Sequence, residues 1–201
     1  MNNLDRENKA FFDLWASFYD VTLVKPYLLF IQKKIAKYID LKNNPKVLDV
    51  GCGTGDALVF LSKTGHPSLF GLDISEKMLE KANRKMRGKA ILKTGSVEKI
   101  PFSSNSFDYV LSTEAFHHFP NPDKAVKEMK RVLKKNGKLI IADINFYFKF
   151  IHWLFKKIEP GHVKIYNESE FKSLFNKNNI KILNQRRIGL FVIATIGKKT
   201  K

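Results

Sequence analysis

The sequence predicts an α/β fold, doubly wound about a mainly parallel sheet with an antiparallel last strand. Three observations carry that expectation. From residue 45 onward, short apolar runs of strand type alternate with segments of helical spacing, and such alternation returns successive strands parallel to one another through helical crossovers. The first of these runs leads into a glycine-rich turn, Gly51-Cys52-Gly53-Thr54-Gly55. The last two runs are joined by a connection too short for a parallel crossover, so the final strand must turn back.

Residues 7 to 40 read as two helices, with Phe11, Leu14, Trp15 and Phe18 on one face of the first and Leu28, Ile31, Ile35 and Tyr38 on one face of the second. Pro26 suits the first turn of the second helix. These helices, within residues 1–44, are expected to cap the site. After the turn signal Asn43-Asn44-Pro45, strands are expected at Val47 to Val50, Leu69 to Leu72, Ala90 to Leu92, Tyr109 to Leu111 and Leu139 to Ile141. Helices are expected at Ala57 to Leu61, Glu76 to Met86 and Asp123 to Leu133. These make a core over residues 45–144, followed by a lid and helix over 145–179. A hairpin of Lys181 to Asn184 and Leu190 to Ile196, turning through Gln185 to Gly189, closes the chain over 180–201. All 201 residues are read as one domain, a usual size for a single core.

With 44% hydrophobic and 27% charged residues the composition is that of an ordinary globular protein. The lone Cys52 excludes a disulfide framework and a multi-cysteine metal site, and a reducing cytoplasm is the natural setting. The opening MNNLDRENKAFFDLW does not read as a signal peptide, and the longest aromatic stretch, Phe146 to Phe155, is too short to span a bilayer. The formal charge of +17 suits nucleic acid, an anionic membrane or an acidic substrate. Its make-up, 30 Lys against 6 Arg, instead favours a solvated surface shaped by coding bias, because phosphate recognition more often recruits the planar fork of Arg.

The glycine turn lets the backbone approach a ligand closely. Nicotinamide, flavin and other nucleotide enzymes all use such a turn, and the charges around it discriminate. The dinucleotide fingerprint wants a glycine where Asp56 stands, and Asp49 and Asp56 place carboxylates at both ends of the turn, where a diphosphate would be repelled. A ligand with a sulfonium and an ammonium gains from them. Asp73, 22 positions after Gly51 at the end of the second strand, is placed to accept hydrogen bonds from both ribose hydroxyls of an adenosine. The other reading of Asp73 is a helix N-cap, a role Ser75 can fill instead.

The run VLDVGCGTGD, then GLDIS with Met78 and Ala82, then EKIPF before FDYVLS, and finally KEMKRVLKKNGKLII resemble the successive motifs of class I S-adenosylmethionine (AdoMet) dependent methyltransferases. The likeness is to the ubiquinone and menaquinone biosynthesis branch with its many small-molecule enzymes, and it covers residues 11 to 144. It implies a Rossmann-like fold and AdoMet as cofactor. By resemblance, Asp49 and the backbone of Gly51, Cys52 and Gly53 hold the methionine part and Asp73 the ribose. Ile74 and Met78 pack on the adenine, whose edge meets Ser96 and Val97. Ser96 departs from the family's usual acid, which Glu98 can replace. Tyr19 resembles an aromatic that closes over the cofactor, or packs as an ordinary helix residue. Thr113 belongs to the same cofactor set.

Methyl transfer requires an in-line nucleophile and exclusion of water; a base is required only when the acceptor arrives protonated. The fourth strand delivers Ser112-Thr113-Glu114-Ala115-Phe116-His117-His118 to the rim of the site. His117 or His118 titrates in the right range to act as that base, or one caps the following helix and the other packs beneath it. Glu114 steers a cationic amine, or is a solvent-facing loop acid. No Asp/Asn-Pro-Pro-aromatic segment for nucleobase amines is present, and Cys52 lies in the cofactor loop. Asp143 with Asn145 is a weak candidate metal pair. Trp153, within the aromatic segment of residues 145–157, is expected to cover the acceptor, and its basic flanks suit peripheral contact with an anionic membrane. The acceptor expected is thus a small or lipid-like molecule, with nucleic acid as the alternative and a catalytically silent binding partner as a third reading.

Overall fold

The computed structural model describes residues 3–20, 22, 25–146, 153 and 163–200. Two helices, α1 (Asn3–Tyr19) and α2 (Lys25–Ala36), precede β1 (Lys46–Val50), α3 (Asp56–Thr64), β2 (Ser68–Asp73), α4 (Glu76–Met86) and β3 (Ala90–Thr94). β4 (Phe107–Thr113), α5 (Pro122–Val132), β5 (Leu133–Ile144), α6 (Glu168–Lys177), β6 (Ile180–Ile188) and β7 (Val192–Lys199) follow. The sheet has the order β3-β2-β1-β4-β5-β7-β6, with β1 to β5 parallel and β7 antiparallel to both its neighbours. The doubly wound expectation is met, including the reversal at the end of the chain.

The central strands are buried on both faces, as parallel strands covered by helices must be. Alternation splits each strand between two cores. Leu48, Val110, Leu139 and Ile141 join Phe107, Phe116 and Phe171 on one face, while Val47, Tyr109, Leu111 and Ile140 join Ile31, Ile35 and Leu58 on the other. Strand order reverses between β1 and β4, and the crevice beyond their carboxyl ends is where such sheets bind ligands.

Helix ends follow local chemistry. Ser75 caps α4 by accepting from Met78 N at 3.1 Å, and Asn121 caps α5 by accepting from Lys124 N at 3.0 Å, with Pro122 in the first turn. α6 opens with a capping box between Asn167 and Glu170.

Two features go beyond the sequence reading, and one expectation, the bounds of the final hairpin, is corrected. The apolar residues of α1 do not face a core: Leu14 is 72% and Phe18 59% exposed, and the buried residues of that helix are Asp5, Asn8 and Ala16. α1 lies over the strand ends instead of on a sheet face. The turn at Lys135-Asn136-Gly137 is inserted into β5, where pairing passes from Phe107↔Leu133 to Tyr109↔Lys138 and Lys134 reaches back to Asp108 at 2.8 Å. In the final hairpin, Gln185 to Ile188 are strand, paired with Thr195 to Val192, and Leu190, 63% exposed, is in the turn. An edge strand is half-solvated and accepts polar residues such as Arg186 and Arg187, which the sequence pattern assigned to a loop. The expected lid, Phe146 to Phe155, lies outside the described residues except for Phe146 and Trp153. Among the described residues no helix is long and apolar enough to cross a membrane.

Gly71 of β2 sits beneath the glycine turn, and a methyl group there would come within 2.7 Å of Leu92 Cδ2 and 2.8 Å of Cys52 Sγ. Gly71→Ala is expected to destabilise the chain by about 1 to 3 kcal/mol through overpacking, measured as a lower denaturation midpoint with unchanged slope in urea.

Candidate active site

At the carboxyl ends of β1, β2 and β4 lies a cavity of about 520 Å³. Its floor is the turn after β1, where Gly51 has φ +73 and a Cβ would strike Ala115 Cβ at 2.6 Å, so only glycine lets this turn pass the loop after β4. Gly53, by contrast, faces open space. The turn is held to β2 by Gly51 N donating to Leu72 O at 2.8 Å and Gly53 N donating to Asp73 Oδ2 at 2.7 Å.

Asp73 also accepts from Ser75 N through Oδ1 at 2.9 Å, so it braces both the turn and the start of α4 while lining the cavity. Ser75 is the N-cap, and Asp73 is not consumed by that task. Cys52, Ile74, Met78, Val97, Thr113 and Tyr19 line the same cavity. Ser96 does not line it. Its hydroxyl accepts from Glu98 N at 3.2 Å to cap the short turn Val97–Lys99, and Glu98 pairs with Lys124 at 3.1 Å.

α1 forms the roof. Asn8 Nδ2 donates to His118 O at 2.9 Å at one end, Asp13 Oδ1 accepts from Ser75 Oγ at 2.6 Å in the middle, and Asp20 beyond the helix is bound by Lys25 and Lys85, each at 2.7 Å. Those lysines also bind Asp56, Lys85 at 2.9 Å. The expected repulsion of a diphosphate by Asp56 is therefore corrected, since two ammonium groups compensate its charge. The roof contributes Asn8, Phe11, Phe12 and Trp15 to the cavity, and α2 contributes Tyr27 and Gln32. The sequence reading placed these helices as a cap but assigned none of these residues to the site. The signal available was that the aromatics of α1 are interleaved with polar residues, among them Asn8 and Asp13, whose partners lie far along the chain.

His117 and His118 follow β4, their rings 4.0 Å apart and both lining the cavity. Asp143 Oδ1, on β5, lies 2.6 Å from His117 Nδ1 and fixes that ring, while His118 meets Phe12 edge-on at 4.8 Å. Neither histidine caps α5, a task Asn121 performs. Asn145 is bonded to Tyr166 and Arg187, and among the described residues no three His, Cys, Asp or Glu side chains gather to hold a metal. Trp153 is 53% exposed and does not line the cavity.

Glu114 is not a solvent-facing acid. Both carboxylate oxygens are buried and lack a hydrogen-bond partner, as does Asp49 Oδ1. Burial, then the neighbouring Asp143, pushes Glu114 up to about 8, against the opposing pull of His117. Burial, then Asp73 and Asp56, pushes Asp49 up to about 8. Asp73 is also raised, by burial that outweighs the amides it accepts from. Asp20 behaves oppositely: against its burial, hydrogen bonds from Lys25 and Lys85 hold it at about 2.

Residues 48–141 match the family described as Methyltransferase domain. The demethylmenaquinone methyltransferase of Lactobacillus johnsonii is 37% identical over 119 residues, 56% of this chain and 49% of that protein. That of Staphylococcus aureus is 34% identical over 143 residues, 63% of this chain and 59% of that protein. The chain thus spans between about half and three fifths of the length of these relatives. Among solved structures, an SAM-dependent methyltransferase from Aquifex aeolicus superposes with a TM-score of 0.76 at 24% identity, covering 92% of this chain and 97% of that one. A chain in the complex of the Haloferax volcanii Trm112 methyltransferase activator with a methyltransferase gives 0.85 at 22% identity, covering 94% and 98%. The superpositions show that this chain has the fold of these solved methyltransferases, and residues 48–141 carry the match to the methyltransferase-domain family. The relatives similar to it in sequence include demethylmenaquinone methyltransferases.

Asp49 and Glu114 carry a folded-state pKa raised from the ordinary carboxyl range to about 8, so the stability they confer is complete below about pH 4 and is lost as pH rises through 8. The ligand-free protein is expected to melt at progressively lower temperature from pH 5 to pH 9. Glu114→Gln should flatten that fall, gaining on the order of 2 to 4 kcal/mol at pH 9 relative to pH 5, read by calorimetric melting across that range.

Proposed function

We propose that this chain is an AdoMet-dependent methyltransferase acting on a small-molecule acceptor. One observation carries the reading: in a protein of net charge +17, the cavity beyond the glycine turn is lined by Asp73 and Glu114 with no Lys or Arg among the described residues of its lining, while Asp56 at its edge is matched by Lys25 and Lys85. Such a chamber suits a cofactor bearing a sulfonium and an ammonium and is hostile to diphosphates and to a polyanion. The orphaned Asp49 Oδ1 beneath the turn and the open space at Gly53 fit the same ligand.

In this reading Asp49 and the backbone of Gly51 to Gly53 hold the methionine end. Asp73 retains lone pairs for ribose hydroxyls beyond the two amides it already accepts. Ile74, Met78 and Val97 enclose the adenine, and Tyr19 closes the roof. When bound, AdoMet supplies an electrophilic methyl group on a sulfonium. The chain's own contribution is positioning, exclusion of water by α1 and the movement of a proton where the acceptor arrives protonated. His117, its ring fixed through Nδ1 by Asp143, and Glu114 are the groups placed for that.

A quinol acceptor is a second reading. It is supported by the names of the sequence relatives and by the aromatic walls Phe11, Phe12 and Trp15. Among the described residues the cations of the basic exterior do not line the chamber.

Titration calorimetry with S-adenosylhomocysteine tests the cofactor assignment. Wild type is expected to bind it, and Asp73→Ala to bind it about 1 to 3 kcal/mol more weakly, the value of lost charge-assisted hydrogen bonds. Unchanged affinity in Asp73→Ala would refute the ribose role. NAD at concentrations far above the S-adenosylhomocysteine Kd should not displace it; competitive displacement would reverse the charge argument.

A further inference from the structure

Glu114 is held at unusual cost. Its backbone sits at φ +55, a region that disfavours a side chain, and is fixed there by its own N–H donating to Ala142 O at 2.8 Å. Its carboxylate is buried with neither oxygen hydrogen-bonded, although a buried unpaired carboxylate strongly opposes folding. The groups that face it are Tyr19 from α1, His117 from the turn after β4 and Asp143 from β5. His117 is the one base among these three, and it is already engaged by Asp143 at 2.6 Å. Among the described residues that line the cavity there is no Lys or Arg to neutralise Glu114.

The remaining chemistry of the chamber points the same way. Asn8 Oδ1 is a second buried acceptor without a partner, its amide nitrogen being committed to His118 O. Phe11, Phe12, Trp15 and Tyr27 supply ring faces. Aromatic walls, buried acceptors and an uncompensated carboxylate are together the environment of an organic cation, which gains from ring quadrupoles as well as from the charge. A neutral phenol or alcohol gives one hydrogen bond and leaves the charge unmatched. An anion is repelled.

We propose that the acceptor is a small organic amine, bound as its ammonium against Glu114 and relieved of a proton by that carboxylate. The proposal rests on the methyltransferase reading. The step is balanced in itself: the ammonium N–H bond breaks, its electron pair stays on nitrogen as the lone pair that accepts a methyl group, and the proton forms an O–H bond on Glu114. No further reactant is required. Burial that raises the carboxyl towards the range of an amine narrows the gap across which the proton moves.

The test is calorimetry on protein saturated with S-adenosylhomocysteine, using phenethylamine and tryptamine, the neutral analogue 2-phenylethanol, the anion phenylacetate and the quinol 1,4-dihydroxynaphthalene. At least one amine is expected to bind ten-fold or more tightly than the alcohol, the anion and the quinol. Glu114→Gln should abolish that advantage without changing the affinity for S-adenosylhomocysteine, which also reports that the variant is folded. Below pH 8, amine binding to wild type should release protons, seen as a dependence of the heat on buffer ionisation, and the variant should release none. Binding of the quinol or alcohol as tightly as the amines, equal amine binding by Glu114→Gln, or no amine binding at all overturns the proposal while leaving the cofactor reading intact. Failure of wild type to bind S-adenosylhomocysteine removes the cofactor reading, and the proposal with it.

Discussion

Three carboxylates, Asp49, Asp73 and Glu114, stand at or just beyond the carboxyl ends of three adjacent parallel strands, β1, β2 and β4, out of contact with bulk water. Buried like charges at that spacing raise one another's pKa and weaken the folded state as they ionise. Asp73 is partly relieved by two backbone amides; Asp49 and Glu114 retain oxygens with no partner. The structure is thus built around a deficit of positive charge at one place. A cation placed there would meet carboxylates that burial has already stripped of solvent.

That deficit explains the division of charge in the molecule. Lys25 and Lys85 are spent on Asp20 and Asp56 and serve to fasten the roof, where Lys81 also reaches Asp20 at 4.0 Å. The roof in turn covers the chamber. α1 is tied at three points along its length, to the loop after β4, to the cap of α4 and to the Lys25 and Lys85 cluster, so its aromatic residues border a cavity instead of entering a core. The exposure of Leu14 and Phe18 follows from the same placement, a helix spanning strand ends with one face over the cavity and another in solvent.

Strand and helix order, the turn at Asn43-Asn44-Pro45 and the closing reversal were all legible in the sequence. Each depends on contacts between near neighbours: apolar alternation along a strand, a glycine turn whose backbone sits at φ +73 at Gly51, a cap three residues from the amide it accepts. The particular fate of polar runs was less legible. Gln185 to Ile188 form an edge strand and Lys135 to Gly137 a bulge within β5, and in both cases a partner strand distant in sequence decides whether a polar segment pairs or loops out.

Taken alone, the sequence determined the doubly wound sheet, the place of the glycine turn and the residue types available at its rim, because periodicity and spacing act locally and survive any choice of tertiary neighbours. Only the tertiary structure decided what those residues face. It placed Glu114 in the interior with no counter-ion, set Asp143 against His117 across 26 positions of chain, matched Asp56 to lysines from two helices, and moved Ser96 out of the cavity. Burial and Coulomb interaction between residues far apart in the chain set those outcomes, and neither is written in the spacing of one segment.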